Sequence, residues 1–250
     1  MKKLNGIVLA TVIALTAACG GKNIETEEPT SEHVVAVEGD STIYGLACDG
    51  CSDTIVVFLR SPYQGQNPDT LNILEATRHH RVFGRPRIGD EIAIVRNSMD
   101  TTVADMMVVT QGLKGEWCYR VLPTLRERAG MDGAMRAEQP DSVKELLSVD
   151  REYGVQLKAE GAAFPIGMSY RAATTDEEEM VVYPELKRYF EWHLFNGHLV
   201  LQAAFTDSLG ERRLMVSDTA DVEKLGPDTL VLRFKDYVQG YYRRQADEEE

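Results

Sequence analysis

The sequence has 250 residues and a formal net charge of −13, and 43% of its residues are hydrophobic. This length accommodates one large domain or two small ones, and the apolar content is sufficient for a packed core. So acidic a chain repels phosphate backbones, and no basic stripe counters that repulsion. Nucleic acids are therefore excluded as partners.

The first nineteen residues have the layout of a secretory signal, with a positive start at Lys2 and Lys3, an apolar run over residues 7–15 and small residues before Cys19. The apolar run is too short for a permanent membrane helix. The segment resembles the lipobox of bacterial lipoproteins, in which the cysteine receives lipid and becomes the mature N-terminus. We therefore predict a signal peptide over residues 1–18 and a lipid anchor at Cys19. The alternative is a secreted protein in which this cysteine is unmodified.

The segment that follows, residues 19–33, is polar, acidic and interrupted by glycine and proline, which is typical of a flexible tether. Gly20 after the cysteine resembles lipoproteins released to the outer membrane, and the acidic residues beyond it resemble the surface-export signals of Bacteroidetes lipoproteins. The resemblance implies an outer-membrane lipoprotein of the cell envelope, facing the periplasm or the surface. Residues 246–250 are predicted to be a disordered tail.

The first folded block, residues 34–110, alternates short apolar runs with turn signals, which is typical of antiparallel β structure. The predicted strands are Thr42–Cys48, Thr54–Leu59, Thr70–Ala76, Glu91–Val95 and Val103–Val108. About five strands in so short a block form either a small β-barrel, with an OB-like arrangement as one option, or an incomplete sandwich.

The second block, residues 111–245, is also predicted to be β structure. It opens with a Gly-x-Trp sequence, Gly115 to Trp117, and contains one short predicted helix at Ser142–Val149. Its predicted strands outside the hairpin described next are Tyr153–Lys158, Phe164–Tyr170, Ala220–Leu225, Thr229–Phe234 and Tyr237–Arg243.

The clearest local signal is Asn196-Gly197 between two apolar runs, because this dipeptide supplies the positive φ angles of a type I′ turn. A two-residue turn pairs Phe195 with His198, and the alternation of side chains then defines two faces. The interior face consists of Trp192, Leu194, Leu199 and Leu201. The other face consists of His193, Phe195, His198 and Val200.

The ordered motifs of the second block resemble the lipocalin-like lipoprotein domains common in Bacteroidetes. These motifs are Leu113–Trp117, Glu152–Lys158, Gly161–Ala163, Tyr189–Trp192, Asn196–Leu201, Asp218–Ala220 with Leu225, and Asp228–Leu232. The resemblance covers about the last half of the chain and implies a lipocalin-like antiparallel barrel. In lipocalins a tryptophan plugs one barrel end and a basic residue packs over it. The resemblance implies that Trp117 is the plug and that Arg233, Arg243 or Arg244 covers it.

Whether the interior of this barrel is filled by side chains or contains an open pocket decides between two functions. The ligand-pocket candidates are Trp192, Leu194, Leu199 and Leu201, whose large side chains favour a barrel filled by its own residues. The small residues expected opposite them favour a pocket, namely Gly154, Ala162, Ala163 and Gly167. By resemblance we expect a small apolar ligand; the alternative is a structural or protein-interaction module with a filled barrel.

Two of the remaining cysteines, Cys48 and Cys51, flank an Asp-Gly type I′ turn signal. They are predicted to face each other across a tight hairpin and to form a structural disulfide in an oxidising compartment. The alternatives are a redox-active pair and a zinc site. The zinc site would need two more ligands from His79 and His80, which point to opposite faces if they lie on a strand. Cys118 is expected to be a small buried core residue.

No other pattern points to catalysis. His193 and His198 lie diagonally on one face, which permits a shared metal, but two histidines alone more often form a solvated pair. Motifs for nucleophiles, metalloproteases and phosphate loops do not occur. We therefore predict no catalytic residue, no metal, no cofactor and no enzymatic activity, with a redox or metal enzyme built on Cys48 and Cys51 as a third hypothesis.

Overall fold

The computed structural model describes residues 39–126, 141–167, 181–206 and 212–245, except for the side chains of residues 204–206 and 212–216. The predicted signal peptide, Cys19, the tether and the C-terminal tail lie outside the described residues. The described chain forms a six-stranded, an eight-stranded and a two-stranded sheet. The prediction of an all-β chain is confirmed.

The first sheet is built from residues 42–109. Its elements are β1 (Thr42–Ala47), β2 (Ile55–Arg60), β3 (Asp69–Asn72), α1 (Leu74–Arg78), β4 (Val82–Phe83), β5 (Glu91–Arg96) and β6 (Ala104–Val109). The strand order is β3-β2-β1-β5-β6-β4, with β4 parallel to β6 and the other pairs antiparallel. The predicted strand Thr70–Ala76 is too long. It ends at Asn72, whose side chain accepts a hydrogen bond from the Leu74 amide at 2.9 Å and so begins α1.

Five of these strands nearly close into a small barrel. A parallel bridge joins Asn72, at the end of β3, to Val103, just before β6, and the Asn72 amide donates to the Thr102 carbonyl at 2.9 Å. The core inside contains the buried side chains of Ile43, Val56, Phe58, Leu71, Ile73, Ile92, Ile94 and Met107. A partly open five-stranded barrel with one short helix is the arrangement that the OB-like option requires.

The second sheet begins after α2 (Thr110–Leu113). Its strands are β7 (Gly115–Val121), β9 (Arg151–Leu157), β10 (Ala163–Ile166), β12 (Tyr189–Phe195), β13 (His198–Thr206), β14 (Arg212–Leu225), β15 (Thr229–Arg233) and β16 (Val238–Arg243). The two-stranded sheet pairs β8 (Thr124–Leu125) with β11 (Val181–Val182), and the predicted short helix is α3 (Asp141–Leu147). No helix in the described ranges is long and apolar enough to span a membrane.

The eight strands form a nearly closed antiparallel β-barrel. The order is β10-β9-β7-β16-β15-β14-β13-β12, and a bridge between Ala162 and Glu191 brings the two outer strands together. The β12–β13 hairpin has the predicted register, with Phe195 opposite His198, and positive φ angles of 49° at Asn196 and 83° at Gly197. The type I′ turn is therefore confirmed.

The first sheet packs against the end of the barrel that carries this turn. Phe83, Ala93 and Val108 belong to the same hydrophobic core as the barrel interior. The Asn196 amide donates to the Asp40 carboxylate at 2.9 Å, and the Tyr44 hydroxyl donates to the Leu194 carbonyl at 2.8 Å. We call this the closed end of the barrel, because the first sheet covers it.

Candidate functional site

Trp117 and Arg243 occupy the closed end. They are opposite each other in the register of β7 and β16. Trp117 is fully buried, and the Arg243 guanidinium carbon lies 4.1 Å from the centroid of its ring, which is a cation–π contact. Of the three arginines that the sequence left open, the structure places Arg243 over the tryptophan. Arg233 and Arg244 instead pair with carboxylates on the outside of the barrel.

Hydrogen bonds to main-chain carbonyls fix Arg243 in this position. Its guanidinium donates to the carbonyls of Lys114 at 2.7 Å, Gly112 at 2.8 Å and Pro227 at 2.6 Å. The Trp117 indole donates to the Leu113 carbonyl at 2.6 Å. The pair therefore ties α2 and the β14–β15 turn together across the closed end.

The four pocket candidates form part of the packed core. Trp192 is 6% exposed, Leu194 2%, and Leu199 and Leu201 are fully buried, in one cluster with Trp117. The Trp192 indole donates to the Lys158 carbonyl at 2.9 Å. Their interior placement is confirmed by this burial, but the side chains have almost no accessible surface to offer a ligand.

The small residues expected to open a pocket are small for another reason. A Cβ at Gly154 would lie 2.2 Å from the Trp117 carbonyl oxygen, and one at Gly167 would lie 2.6 Å from the Glu152 carbonyl oxygen. Ala163 is 3% exposed. Close approach of neighbouring backbone therefore requires glycine at Gly154 and Gly167, and the buried Ala163 exposes almost no surface to a ligand.

Tyrosines gather at the opposite end of the barrel, which we call the tyrosine-lined end: Tyr119, Tyr153, Tyr189, Tyr237 and Tyr241. The ring of Tyr119 contacts the rings of Tyr241 and Tyr153 edge to face, at centroid distances of 5.3 and 6.2 Å. Tyr237 stacks on Phe234 in the β15–β16 turn at 4.7 Å and is 45% exposed. The rings thus lead from the buried interior to the surface.

A carboxylate lies among these rings. The side chain of Asp218 accepts hydrogen bonds from the Tyr189 hydroxyl at 2.6 Å and from the Lys187 ammonium at 2.7 Å, and it is 19% exposed. Burial, followed by the hydrogen bond to Asp218, raises the pKa of Tyr189 far above its ordinary value. The hydroxyl therefore remains protonated and donates to the carboxylate.

Sequence reasoning missed this group. Asp218 is two residues before the buried Ala220 and four before the buried Val222 on β14, so the period of two predicts that it points inward. An inward carboxylate in a predicted barrel strand is the signal that would have identified the site.

The predicted hairpin between Cys48 and Cys51 is wrong. The Cys48 amide donates to the Val57 carbonyl at 2.8 Å, so Cys48 is opposite Val57, and residues 49–54 form a longer loop. The Cys51 sulfur lies 3.3 Å from the carbonyl oxygens of Cys48 and Val57. Both cysteines are free thiols in the structure, so it does not support the predicted disulfide.

The other metal and thiol candidates are separate from one another. Cys118 is fully buried, as predicted, and burial raises the pKa of its thiol. His198 contacts the Asp221 carboxylate at 2.5 Å on the outside of the barrel, and His79 lies 3.7 Å from Glu75. Within the described part of the chain, no three His, Cys, Asp or Glu side chains group closely enough to hold a metal ion.

Comparison with solved structures finds similarity to a lipocalin-like protein from Bacteroides thetaiotaomicron. The match has 19% sequence identity, covers 52% of this chain and 95% of the other, and has a TM-score of 0.28. This TM-score is too low to support an argument about the fold. The fold assignment therefore rests on the strand order and register of this chain. No protein-family model matches the sequence, and a search of curated proteins finds no match.

Proposed function

We propose that this chain is a lipid-anchored binding protein of the bacterial cell envelope, a Bacteroidetes-type lipoprotein without catalytic activity. The sequence supports the anchor, because Cys19 follows a signal-peptide layout over residues 1–18. Lipidation there attaches the protein to the outer membrane, facing the periplasm or the surface, and residues 19–33 separate the folded part from the lipid. A single acyl chain binds only marginally, so the anchor requires more than one.

The barrel is lipocalin-like in this proposal, and the contact between Arg243 and Trp117 supports it. The sequence resemblance implied a plugging tryptophan on the first barrel strand under a late basic residue. The structure places Arg243 of the last strand 4.1 Å above the Trp117 ring. Such a pair closes one end of a barrel and leaves the other end for binding.

The function that the geometry supports best is binding of a small, largely apolar ligand with one polar group at the tyrosine-lined end. The observation that carries this proposal is the position of Asp218, which is held by Tyr189 and Lys187 among five tyrosines. Tyr237, which is 45% exposed, and the partly buried Tyr119 offer apolar surface, and the carboxylate and ammonium orient a polar group, as in other small-molecule sites. Because the interior beyond is filled, the ligand binds near the mouth.

A second candidate is a protein-interaction module with a filled barrel. The burial of Trp192, Leu194, Leu199 and Leu201 favours it, because these side chains fill the space that a carrier would leave open. In this case the tyrosine-lined end contacts an envelope protein, since Tyr237 and Val238 are 45% and 50% exposed and tyrosine is enriched at interfaces.

Native mass spectrometry of the protein released from host membranes distinguishes the two candidates. We expect a bound small molecule in the natural protein and its loss in Asp218→Asn and Tyr189→Phe, which weaken the polar group at the mouth. Asp221→Asn is the matched control, because Asp221 pairs with His198 on the outside of the barrel. A natural protein that is always empty would rule out the carrier and leave the interaction module.

The anchor has its own test. Replacing Cys19 with Ser removes the acceptor of the lipid, so we expect the protein in the soluble fraction or as an unprocessed precursor. Fractionation of the host and labelling with radioactive palmitate measure this. Cys48→Ser, which lies directly after β1 in the folded part of the chain, should remain labelled and membrane-bound. Unchanged membrane retention of Cys19→Ser would disprove the proposed anchor.

A further inference from the structure

A cleft of about 650 Å³ lies where the first sheet meets the last residues of β14. Its walls come from the β1–β2 loop, from α1 and the turn after it, from β4 and the residues after it, and from residues 223–225. A volume of roughly 300–1,000 Å³ is usual for small-molecule sites. The cleft is beside the closed end of the barrel, so it is separate from the tyrosine-lined end.

The cleft has an apolar floor. Phe83 and Met107 are 8% and 0% exposed, and the partly buried side chains of Val82 and Leu225 lie beside them. These side chains belong to β4, β6 and β14, so the floor joins the first sheet to the barrel. A ligand of this cleft therefore has an apolar body.

One wall contains a buried polar atom without a partner. The Thr77 hydroxyl oxygen in α1 is inaccessible to solvent and makes no hydrogen bond. A buried hydroxyl in this state is costly, and nearly all such groups in folded proteins are paired. A hydrogen-bond acceptor on a ligand in the cleft would satisfy it once the Thr77 side chain rotates towards the cleft.

His80 stands three residues further along, at the rim. Its φ of 55° is in the left-handed region, which glycine adopts without cost and histidine only occasionally. The His80 amide donates to the Thr77 carbonyl at 3.1 Å, and the Arg81 amide to the Ala76 carbonyl at 2.7 Å, which hold the turn. A left-handed residue with these two hydrogen bonds is a usual C-terminal cap of a helix, and it places His80 at the rim of the cleft.

The rim of the cleft carries two permanent cations, Arg85 and Lys224, and two carboxylates, Asp53 and Glu223. His80 adds an imidazole as a further hydrogen-bonding group. The Glu223 carboxylate already accepts a hydrogen bond from the Arg233 side chain, which lies outside the cleft lining. With Glu223 paired in this way, the remaining charges at the rim are Arg85, Lys224 and Asp53. They favour a ligand with a single negative charge, because guanidinium and ammonium groups bind carboxylates strongly.

From these observations we propose that the cleft binds a small amphipathic monocarboxylate, at a second site that goes beyond the proposed function. The apolar body lies on the partly buried Val82 and Leu225 and on the edge of Phe83. The carboxylate accepts hydrogen bonds from the Thr77 hydroxyl and from Arg85 at the rim.

The test uses the full chain in phosphatidylcholine nanodiscs and isothermal titration calorimetry, with empty nanodiscs as the reference. The probes are 4-phenylbutyrate, its uncharged amide and the cationic 4-phenylbutylamine, which share one apolar body. We expect 4-phenylbutyrate to bind and the other two to bind at least about tenfold more weakly, because they lack the charge that the rim recognises. Absence of 4-phenylbutyrate binding, or equal binding of the amide, would overturn the proposal.

Matched variants locate the bound carboxylate. Arg85→Ala should weaken 4-phenylbutyrate binding roughly tenfold, whereas Arg87→Ala, which changes an exposed arginine outside the cleft, should not. Thr77→Val should weaken binding without lowering the melting temperature, because it removes a hydroxyl that makes no hydrogen bond. Full binding in both Arg85→Ala and Thr77→Val would contradict the assignment. Loss of binding in Tyr189→Phe would place the probe at the tyrosine-lined end and would also overturn it.

Discussion

At the scale of single residues, Arg243 determines the integrity of the closed end. Its guanidinium lies over a fully buried tryptophan and donates to three main-chain carbonyls from two different connections. The planar fork of arginine suits this role, since a lysine ammonium is a point charge that cannot make the same set of contacts. The same geometry explains the glycine of the Gly-x-Trp sequence. A Cβ at Gly115, where φ is +135°, would lie 2.1 Å from the Arg243 side chain.

We therefore expect Arg243→Ala to lower the free energy of unfolding by about 2–4 kcal/mol, because it uncovers Trp117 and leaves three carbonyls without their donor. Arg243→Lys should recover only part of this loss. Urea denaturation followed by tryptophan fluorescence measures the effect. Gly115→Ala should be similarly damaging, whereas Gly240→Ala, with no atom within 4 Å of the added Cβ, serves as control. An Arg243→Lys variant as stable as the natural protein would contradict the role of the fork.

Residues could be predicted where the signal is local. The interior face of the β12–β13 hairpin follows from alternation around Asn196-Gly197, and its burial is as predicted. The choice of Arg243 among three arginines depends on the pairing of β16 with β7, which are more than a hundred residues apart in sequence. Alternation along β14 alone would have identified Asp218, but its partners Tyr189 and Lys187 come from another part of the chain.

At the scale of elements, two similar turn signals have different outcomes. Asn196-Gly197 forms the predicted two-residue turn, whereas Asp49-Gly50 does not, since among these two only Gly50 has a positive φ. A two-residue turn at Asp49-Gly50 would set Ala47 opposite Ser52. The observed register sets Ala47 opposite Phe58 and so aligns the apolar run of β2 with the core. Burial of this run outweighs the local turn preference, which is why the sequence predicted the strands but not their connection.

The Asn196 turn also links the barrel to the residues before β1. The Asn196 side chain accepts hydrogen bonds from the amide and the hydroxyl of Ser41 at 2.8 and 2.6 Å. Asn196→Gly removes these contacts but adopts the positive φ without strain. Asn196→Ala removes the contacts and also disfavours the positive φ. We expect losses of about 1 kcal/mol for the glycine variant and about 2 kcal/mol for alanine, measured by urea denaturation. Equal stability of the glycine variant and the natural protein would show that these contacts contribute nothing.

At the scale of the whole molecule, the two sheets share a core. The sequence predicted two β blocks because strand-like patterning stops and restarts around residue 110. It did not predict that Phe83, Ala93 and Val108 of the first sheet would join the hydrophobic core of the barrel. Contacts of this kind depend on how two curved surfaces meet, and the period of a single strand carries no information about that.

The shared core predicts that the two sheets unfold together. Phe83 is 8% exposed and packs with barrel residues, so Phe83→Ala should lower the free energy of unfolding by about 3 kcal/mol for both sheets. Trp117 and Trp192 report on the barrel by fluorescence, and amide hydrogen exchange in β1 and β5 reports on the first sheet. We expect coincident urea transitions in the natural protein and a common shift of both probes in Phe83→Ala. An earlier transition in β1 and β5, with unchanged tryptophan fluorescence, would show instead that the first sheet is an independent folding unit resting on the barrel.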